Sequence, residues 1–279
     1  MKPTSRTSLS QVADHLANEL APLENGREGE QQAVDIAGEF FAFSDAVASS
    51  DQLRQVLSDP DAPVSAKQET VDRLLSNKAN PIVLSALKEM AGAKWGDADD
   101  FGLAVEQLGR EALLTAAAKD GKLEDVEQEL FDLVHNLSSY PDAVGFLSDP
   151  ATAPARRGEL MRNLLSHTAH PITEKLAARA ALGRGAYVEK LQGVGDQIAK
   201  RRRLTIAKVT SVVELTPEQT NRLERVLSRK YGKSIEVVTT IDPAIMGGLR
   251  IEIGPYLIDD TVATHLADAT RKLAAKPSG

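Results

Sequence analysis

Through the first two thirds of the chain, apolar residues recur at the spacing of helices buried along one side. Leu9, Val12, Leu16 and Leu20 mark one helix, and Ile36, Phe40, Phe43 and Val47 mark another, because positions three and four apart fall on a single stripe of an α-helix. A further helix is predicted from about Ser65, with Val71, Leu74 and Leu75 on its buried face, opened after an Asp-Pro break. Pro81 and Pro171 each stand where a first helical turn is expected. A fixed φ and a missing amide hydrogen cost nothing there.

The pattern is written twice. Sliding the chain by 90 positions lays LSDPDAPVSAKQETVDRLLSNKANPI over LSDPATAPARRGELMRNLLSHTAHPI without a gap. Leu57, Ser58, Asp59, Pro60, Glu69, Leu74, Leu75, Ser76, Ala79, Pro81 and Ile82 all meet an identical residue. Such agreement implies an internal duplication. Met161, Leu164 and Leu165 then repeat the buried face of Val71, Leu74 and Leu75. The stretch from 97 to 119 aligns at the same offset with the region from 187, and also lies where the second copy should begin. One helix therefore closes the first bundle and opens the second.

From Leu204 the period changes. LTIAKVTSVVEL is rich in Val, Ile and Thr and reads as a strand. LTPEQTNRLERVLSRKYG reads as a helix with Thr216 as cap, Pro217 in the first turn, Gln219 completing a capping box and Gly232 as stop. Its apolar face is Leu223, Val226 and Leu227. SIEVVTTI, GLRIEIG and YLID follow as strands, with Leu249, Ile251 and Ile253 facing inward, and Asp260 or Thr261 opens a last helix through Val262 and Leu266. The fold class is α+β and mostly helical. Two tandem bundles, 1–100 and 101–203, precede a small α/β domain at 204–279.

Composition narrows the chemistry. Aromatics make up 4% of the 279 residues and cysteine is absent, which removes disulfides, thiol nucleophiles and cysteine-held metals. The opening MKPTSRTSLS has no apolar core of a secretory signal, and no apolar run reaches membrane-spanning length. A net charge of -7 argues against a general nucleic-acid or anionic-membrane binder.

Each candidate constellation has a plainer reading. His167 and His170, three apart, could chelate a metal on a helix. Their duplicates are Asn77 and Asn80, so the slots read as helix-end caps. His15, His135 and His265 are isolated. Lys200 to Arg203 could grip phosphates, but the run sits at the predicted end of a long helix and has no interleaved aromatic. Gly193 to Gly195 and Gly247-Gly248 lack the strand and helix context of a nucleotide loop. Asp97, Asp99 and Asp100 read as helix-capping acids, and Asp259 and Asp260 are similarly placed. No catalytic arrangement, metal site or cofactor is expected.

The segment IDPAIMGGLRIEIGPYLIDDTVATHL resembles the C-terminal signature of the ATP synthase delta subunit family, which includes the oligomycin-sensitivity-conferring protein. The matching residues are Asp242, Pro243, Ile245, Gly247, Gly248, Leu249, Ile251, Ile253, Gly254, Ile258, Asp259, Val262 and Leu266. KDGKLEDVEQEL and FLSDPATAPARRGELMRNLL resemble that family's helical domain. The resemblance covers about 100 to 274 as an ordinary subunit and makes 1–99 an extra copy, similar to enlarged actinobacterial forms. It implies a non-catalytic stator subunit on the cytoplasmic face of the bacterial plasma membrane. The helical domain would bind the N-terminal segments of the alpha subunits and the C-terminal domain the membrane-anchored b subunit, touching the membrane only through the complex. A groove for a partner helix is then expected at Leu113 and Leu114 with Ile172 and Leu176, whose apolar spacing is shared with ordinary core residues. The rival readings are a helical adaptor, an RNA binder using Lys200 to Arg203, and an enzyme with a pocket between bundles and α/β domain.

Overall fold

A computed structural model of the chain describes residues 1–75, 78–231, 235–243, 245, 248–253 and 256–261. The chain divides into two compact units, Met1–Ile198 and Ala199–Gly279. The first contains α1 (Pro3–Leu20), α2 (Arg27–Ser49), α3 (Asp51–Ser58), α4 (Val64–Leu75), α5 (Pro81–Gly92), α6 (Ala98–Lys119), α7 (Leu123–Leu137), α8 (Pro141–Ser148), α9 (Pro154–Leu165) and α10 (Pro171–Leu182). Helix α11 (Tyr187–Thr205) follows. The second unit carries β1 (Ile206–Ser211), α12 (Pro217–Tyr231), β2 (Glu236–Ile241), β3 (Gly248–Ile253) and β4 (Tyr256–Thr261).

The duplication is legible helix by helix. Helices α3, α4 and α5 recur as α8, α9 and α10 with both ends displaced by 90 residues. The buried stripe of α2, Ile36, Phe40, Phe43 and Val47, recurs in α7 as Val126, Leu130, Leu133 and Leu137. Polar details recur too. Asp59 accepts the amide of Asp61 and Asp149 that of Ala151, both at 2.9 Å, so each LSDP ends its helix in an Asx-turn. Just before it, Leu57 and Leu147 are buried.

A buried cation stands behind each turn. Lys67 donates to the Asp59 carbonyl at 2.9 Å, and its duplicate Arg157 donates to the carbonyls of Leu147 at 3.3 Å and Leu182 at 3.4 Å. Both occupy the negative end of a short helix, where a cation meets otherwise orphaned carbonyls. Glu39 and Glu129 likewise reach across to the amides of Asn80 and His170. These are tertiary contacts that a local reading of the sequence does not see.

The two copies share one apolar core, which runs from Leu9 to Ile198. Helix α6 is its axis. It packs against α1, α2 and α3 of the first copy and α7 and α10 of the second. It is therefore buried on several faces, with Phe101, Leu108, Ala112, Leu113, Leu114 and Ala116 all enclosed. A Schellman turn ends it: Lys122 donates to Ala117 at 2.7 Å and Gly121 to Ala118 at 3.1 Å, with Gly121 at φ +71°.

At the start of α6, the buried Asp100 carboxylate accepts Ser5 Oγ at 2.6 Å and the Lys2 amide at 3.0 Å. Burial pushes its pKa up, but these hydrogen bonds outweigh that and hold it below the ordinary value of 3.8. A carboxylate with a lowered folded pKa stabilises above its unfolded pKa, and that stability is lost as pH falls through the folded one. Asp100→Asn is accordingly expected to lower the melting temperature most near neutrality. The gap from wild type should begin to narrow below about pH 4, where the unfolded carboxyl protonates, and close only once pH has fallen through the lowered folded pKa. Thermal unfolding at stepped pH measures this, and a gap independent of pH would refute it.

The second unit is a four-stranded sheet of order β2-β1-β3-β4. β1 and β2 are parallel, and the other neighbours are antiparallel. Helix α12 bridges the parallel pair, as a parallel connection requires. Its capping box forms as expected: Thr216 N donates to Gln219 Oε1 at 2.9 Å, and Gln219 N to Thr216 Oγ1 at 3.3 Å. Leu227, Ala207, Val209, Ile235, Val237, Ile251 and Ile253 form the core, with Leu215, Leu223 and Leu249 packed at its edge.

Some expectations change. Leu74 and Leu164 are 47% and 56% exposed, and Val226 is exposed as well. In each of these short helices the positions four apart, Val71 with Leu75, Met161 with Leu165 and Leu223 with Leu227, meet the core. Their neighbours fall on the shoulder of the stripe. Asp260 and Thr261 do not open a helix: both lie in β4, paired with Leu249 and Gly248. Ladder pairing with β3 outweighs the local capping preference of an acid and a threonine. The expected last helix and the stop at Gly232 lie outside the described residues.

Candidate functional site

Several of the candidate side chains hold the fold together. Asp97 caps α6 by accepting the Asp99 amide at 3.2 Å, and Asp99 pairs with Arg54 at 3.4 Å. His170 caps α10: its Nδ1 accepts the Ile172 amide at 3.2 Å, as Asn80 does for Ile82 at 2.9 Å in the first copy. His167 is exposed in the turn before α10, and its duplicate Asn77 lies outside the described residues. Lys200 to Arg203 fall in the last turns of α11.

One group has the residue types of a metal centre. Glu30, Asp120 and His170 bring ligand atoms within 4.8 Å of one another. They line a cavity of about 390 Å³ with Arg27, Gln31 and Lys175. The capping role decides its chemistry. With Nδ1 accepting an amide, the proton of the neutral ring sits on Nε2 and points to Asp120 Oδ2, 3.5 Å away. That nitrogen then has no lone pair for a metal, and Arg27 and Lys175 already supply positive charge. The group is a polar junction between α2, the end of α6 and the start of α10.

A stronger junction lies on α10. Arg179 Nε donates to Glu106 at 2.9 and 3.1 Å, and its Nη1 and Nη2 donate to Asp45 at 2.9 and 2.7 Å. The guanidinium carbon lies 4.7 Å from the centre of the Phe41 ring. Burial disfavours the charge, but the hydrogen bonds to Asp45 and Glu106 outweigh it and raise the pKa. A planar fork serves two carboxylates and an aromatic face at once, which an ammonium does not. Gly109 makes room beside it, since a Cβ there would come 2.5 Å from the Phe41 ring. The second copy's α10 is thus clamped to the first copy's α2. The duplicate of Arg179 is Glu89, which pairs at 2.8 Å with His15 on α1.

The residues expected to line a partner groove are buried in the chain by itself. Leu113, Leu114, Ile172 and Leu176 are all enclosed in the shared core, so in this fold they present no surface to a partner. In the second unit, Asp242 N donates to the Ser211 carbonyl at 2.9 Å and Ile245 N to the Asp242 carbonyl at 3.2 Å, so Asp242 and Pro243 form the turn after β2. Gly248 opens β3 at φ +86°, a conformation that only glycine adopts without strain. Leu249 pairs with Ser211 and Asp260, and Asp259 with Arg250. Gly247 and Gly254 lie outside the described residues.

These features define a class of fold: a duplicated helical unit followed by a small α/β unit. The family model of the ATP synthase delta (OSCP) subunit matches residues 110–273. The chain is 37% identical over 276 residues to the ATP synthase subunit delta of Beutenbergia cavernae, covering 98% of this chain and 100% of that protein. It is 37% identical to the subunit delta of Kineococcus radiotolerans over 238 residues, 85% of this chain and 86% of that one. With that of Frankia alni it shares 34% over 243 residues, 86% and 88% of the two chains. The chain belongs to the ATP synthase delta (OSCP) subunit family, and is a non-catalytic subunit with a stator role. As such it is a peripheral component of a membrane-bound complex. Among the described residues no helix is long and apolar enough to cross a membrane.

Proposed function

We propose that the chain ties the catalytic head of an F-type ATP synthase to its peripheral stalk at the cytoplasmic face of the bacterial plasma membrane. The helical unit holds the N-terminal segments of the alpha subunits, and the α/β unit holds the end of the membrane-anchored b subunit. The observation that carries this reading is the family match, which begins at residue 110 inside α6 and runs through both units. It supports 101–203 as the copy that grips the head, 204–279 as the stalk-binding domain and 1–100 as an added bundle. Two joined modules raise the effective concentration of each partner for the other. The work is holding: resistance to torque comes from distributed contacts, and proton transport belongs to the assembly.

Co-sedimentation with the purified catalytic head of the cognate synthase tests the reading. The whole chain and a fragment of residues 1–205 are both expected to pellet with the head, while the whole chain alone recruits the soluble part of b. Failure of the whole chain to bind either partner would overturn the proposal. A fragment beginning at 101 is a poor probe, because it would strip α1 and α2 from the core face of α6.

A further inference from the structure

We propose that His170 is a proton-operated latch on helix α10: taking up a second ring proton releases its cap on the Ile172 amide and commits the ring to Asp120 at the end of α6. The latch belongs to the chain by itself and does not depend on the partners proposed above. The duplication supplies the reference. Asn80 caps α5 by accepting the Ile82 amide at 2.9 Å, and Glu39 accepts the Asn80 backbone amide at 2.7 Å. In the second copy Ile172 donates to His170 Nδ1 at 3.2 Å, and Glu129 accepts the His170 backbone amide at 2.9 Å. The two caps hold the same place and make the same bonds, but only one can change its charge. Imidazole is the side chain that ordinarily titrates between about pH 5 and 8, whereas an Asn amide does not titrate there.

The cap and the second proton exclude each other. Nδ1 accepts an N–H through its single lone pair, so protonation there sets two hydrogens face to face, and the ring must turn from Ile172. Its other nitrogen already faces a carboxylate. Nε2 stands 3.5 Å from Asp120 Oδ2, and the two side chains are 17% and 33% exposed. A neutral N–H at that distance makes a weak contact, and a charged ring draws the carboxylate into a stronger one. The uncapped arrangement binds a proton that the capped one refuses, so falling pH moves the population toward it.

The carboxylates that receive the charge are available. Among the described residues, His170 is the one ion-pair partner of Asp120, and Glu30 of α2, whose ligand oxygen lies within 4.8 Å of those of Asp120 and His170, has none. Glu129 is engaged with the His170 and Thr173 donors and Asp125 with Lys122, so from α7 they add only a background of negative charge. Arg27 of α2 and Lys175 of α10 line the same cavity and oppose the second proton, which favours the neutral, capping ring at higher pH. The cavity of about 390 Å³ gives the ring room to turn.

Solvent exchange of single backbone amides in the full chain, followed by NMR from pH 8 to pH 5 and divided by the rate of an unprotected peptide at each pH, reads the latch. Protection of the Ile172 amide should fall about fivefold across this range, the equivalent of a lost helix cap, while Ile82 under Asn80 keeps its protection. His170→Asn, which installs the first copy's cap, should abolish the change at Ile172. Asp120→Asn should move its midpoint to lower pH, because the charged ring loses its carboxylate. Protection of Ile172 that is independent of pH, an equal loss at Ile82, a change that persists in His170→Asn, or an unmoved midpoint in Asp120→Asn would each overturn the proposal and leave the stator reading intact.

Discussion

Leu113→Asp is expected to unfold the helical unit rather than to loosen a partner. Leu113 is 1% exposed in the middle of α6, the helix on which both copies pack. Removing the leucine costs about 2–5 kcal/mol in lost burial and cavity formation. The carboxylate adds several kcal/mol more, because a charge must leave water for the apolar core. Against a total stability of about 5–15 kcal/mol for a domain, the sum leaves little or no folded unit. Far-ultraviolet circular dichroism with thermal melting should show a lost or strongly lowered transition. Leu113→Ala, which keeps the site apolar, should retain a transition at lower temperature. If Leu113→Asp melts like wild type yet fails to bind the head, the residue belongs to a partner interface, and its burial in the isolated chain must be relieved on assembly.

Arg179→Ala is the second large effect. The side chain is almost enclosed, Glu106 is mostly buried and Asp45 is mainly exposed. Truncation leaves the two carboxylates without their shared cation. Asp45 can return to water, so the penalty falls chiefly on Glu106 and on the uncovered Phe41 ring. A loss of about 2–3 kcal/mol is expected, below the 3–5 kcal/mol of a fully buried broken pair. Adding Glu106→Gln should restore part of it, because the stranded charge is gone. Hydrogen exchange should locate the damage in α2 and α10, which the clamp joins. Protection lost uniformly, with no recovery in the double variant, would mean that Arg179 acts through packing alone.

Local signals carried much of this fold. The Thr216–Gln219 box, Pro81 and Pro171 in first turns, and Asp97 as a cap all act within a few residues of themselves, so short stretches reveal them. The spacing of Leu9, Val12, Leu16 and Leu20 revealed a helix for the same reason. Comparing His170 with Asn80 identified a cap where His170 alone suggested a ligand. The stripe positions Leu74, Leu164 and Val226 were less legible. Periodicity fixes a helix's apolar side to within about one position, and the neighbouring helix decides which shoulder residue is covered.

The clamp at Arg179 was not legible at all. Asp45, Glu106 and Arg179 are distant in sequence and stand in different helices, and each looks like a solvated charge in its own segment. Nor did the pattern of α6 separate a core residue from a docking residue. Leu113 and Leu114 have the spacing of either, since the same hydrophobic stripe buries against the chain's own helices or against a partner's. By itself the sequence determined the helices, the duplication at an offset of 90, the α/β unit and, through its motifs, the family. Only the tertiary structure decided that the leucines of α6, the shared helix read from the repeat, are internal, and that Phe41 is covered while Phe131 is exposed. Local order follows from neighbours along the chain, whereas which surface stays free depends on which helices meet.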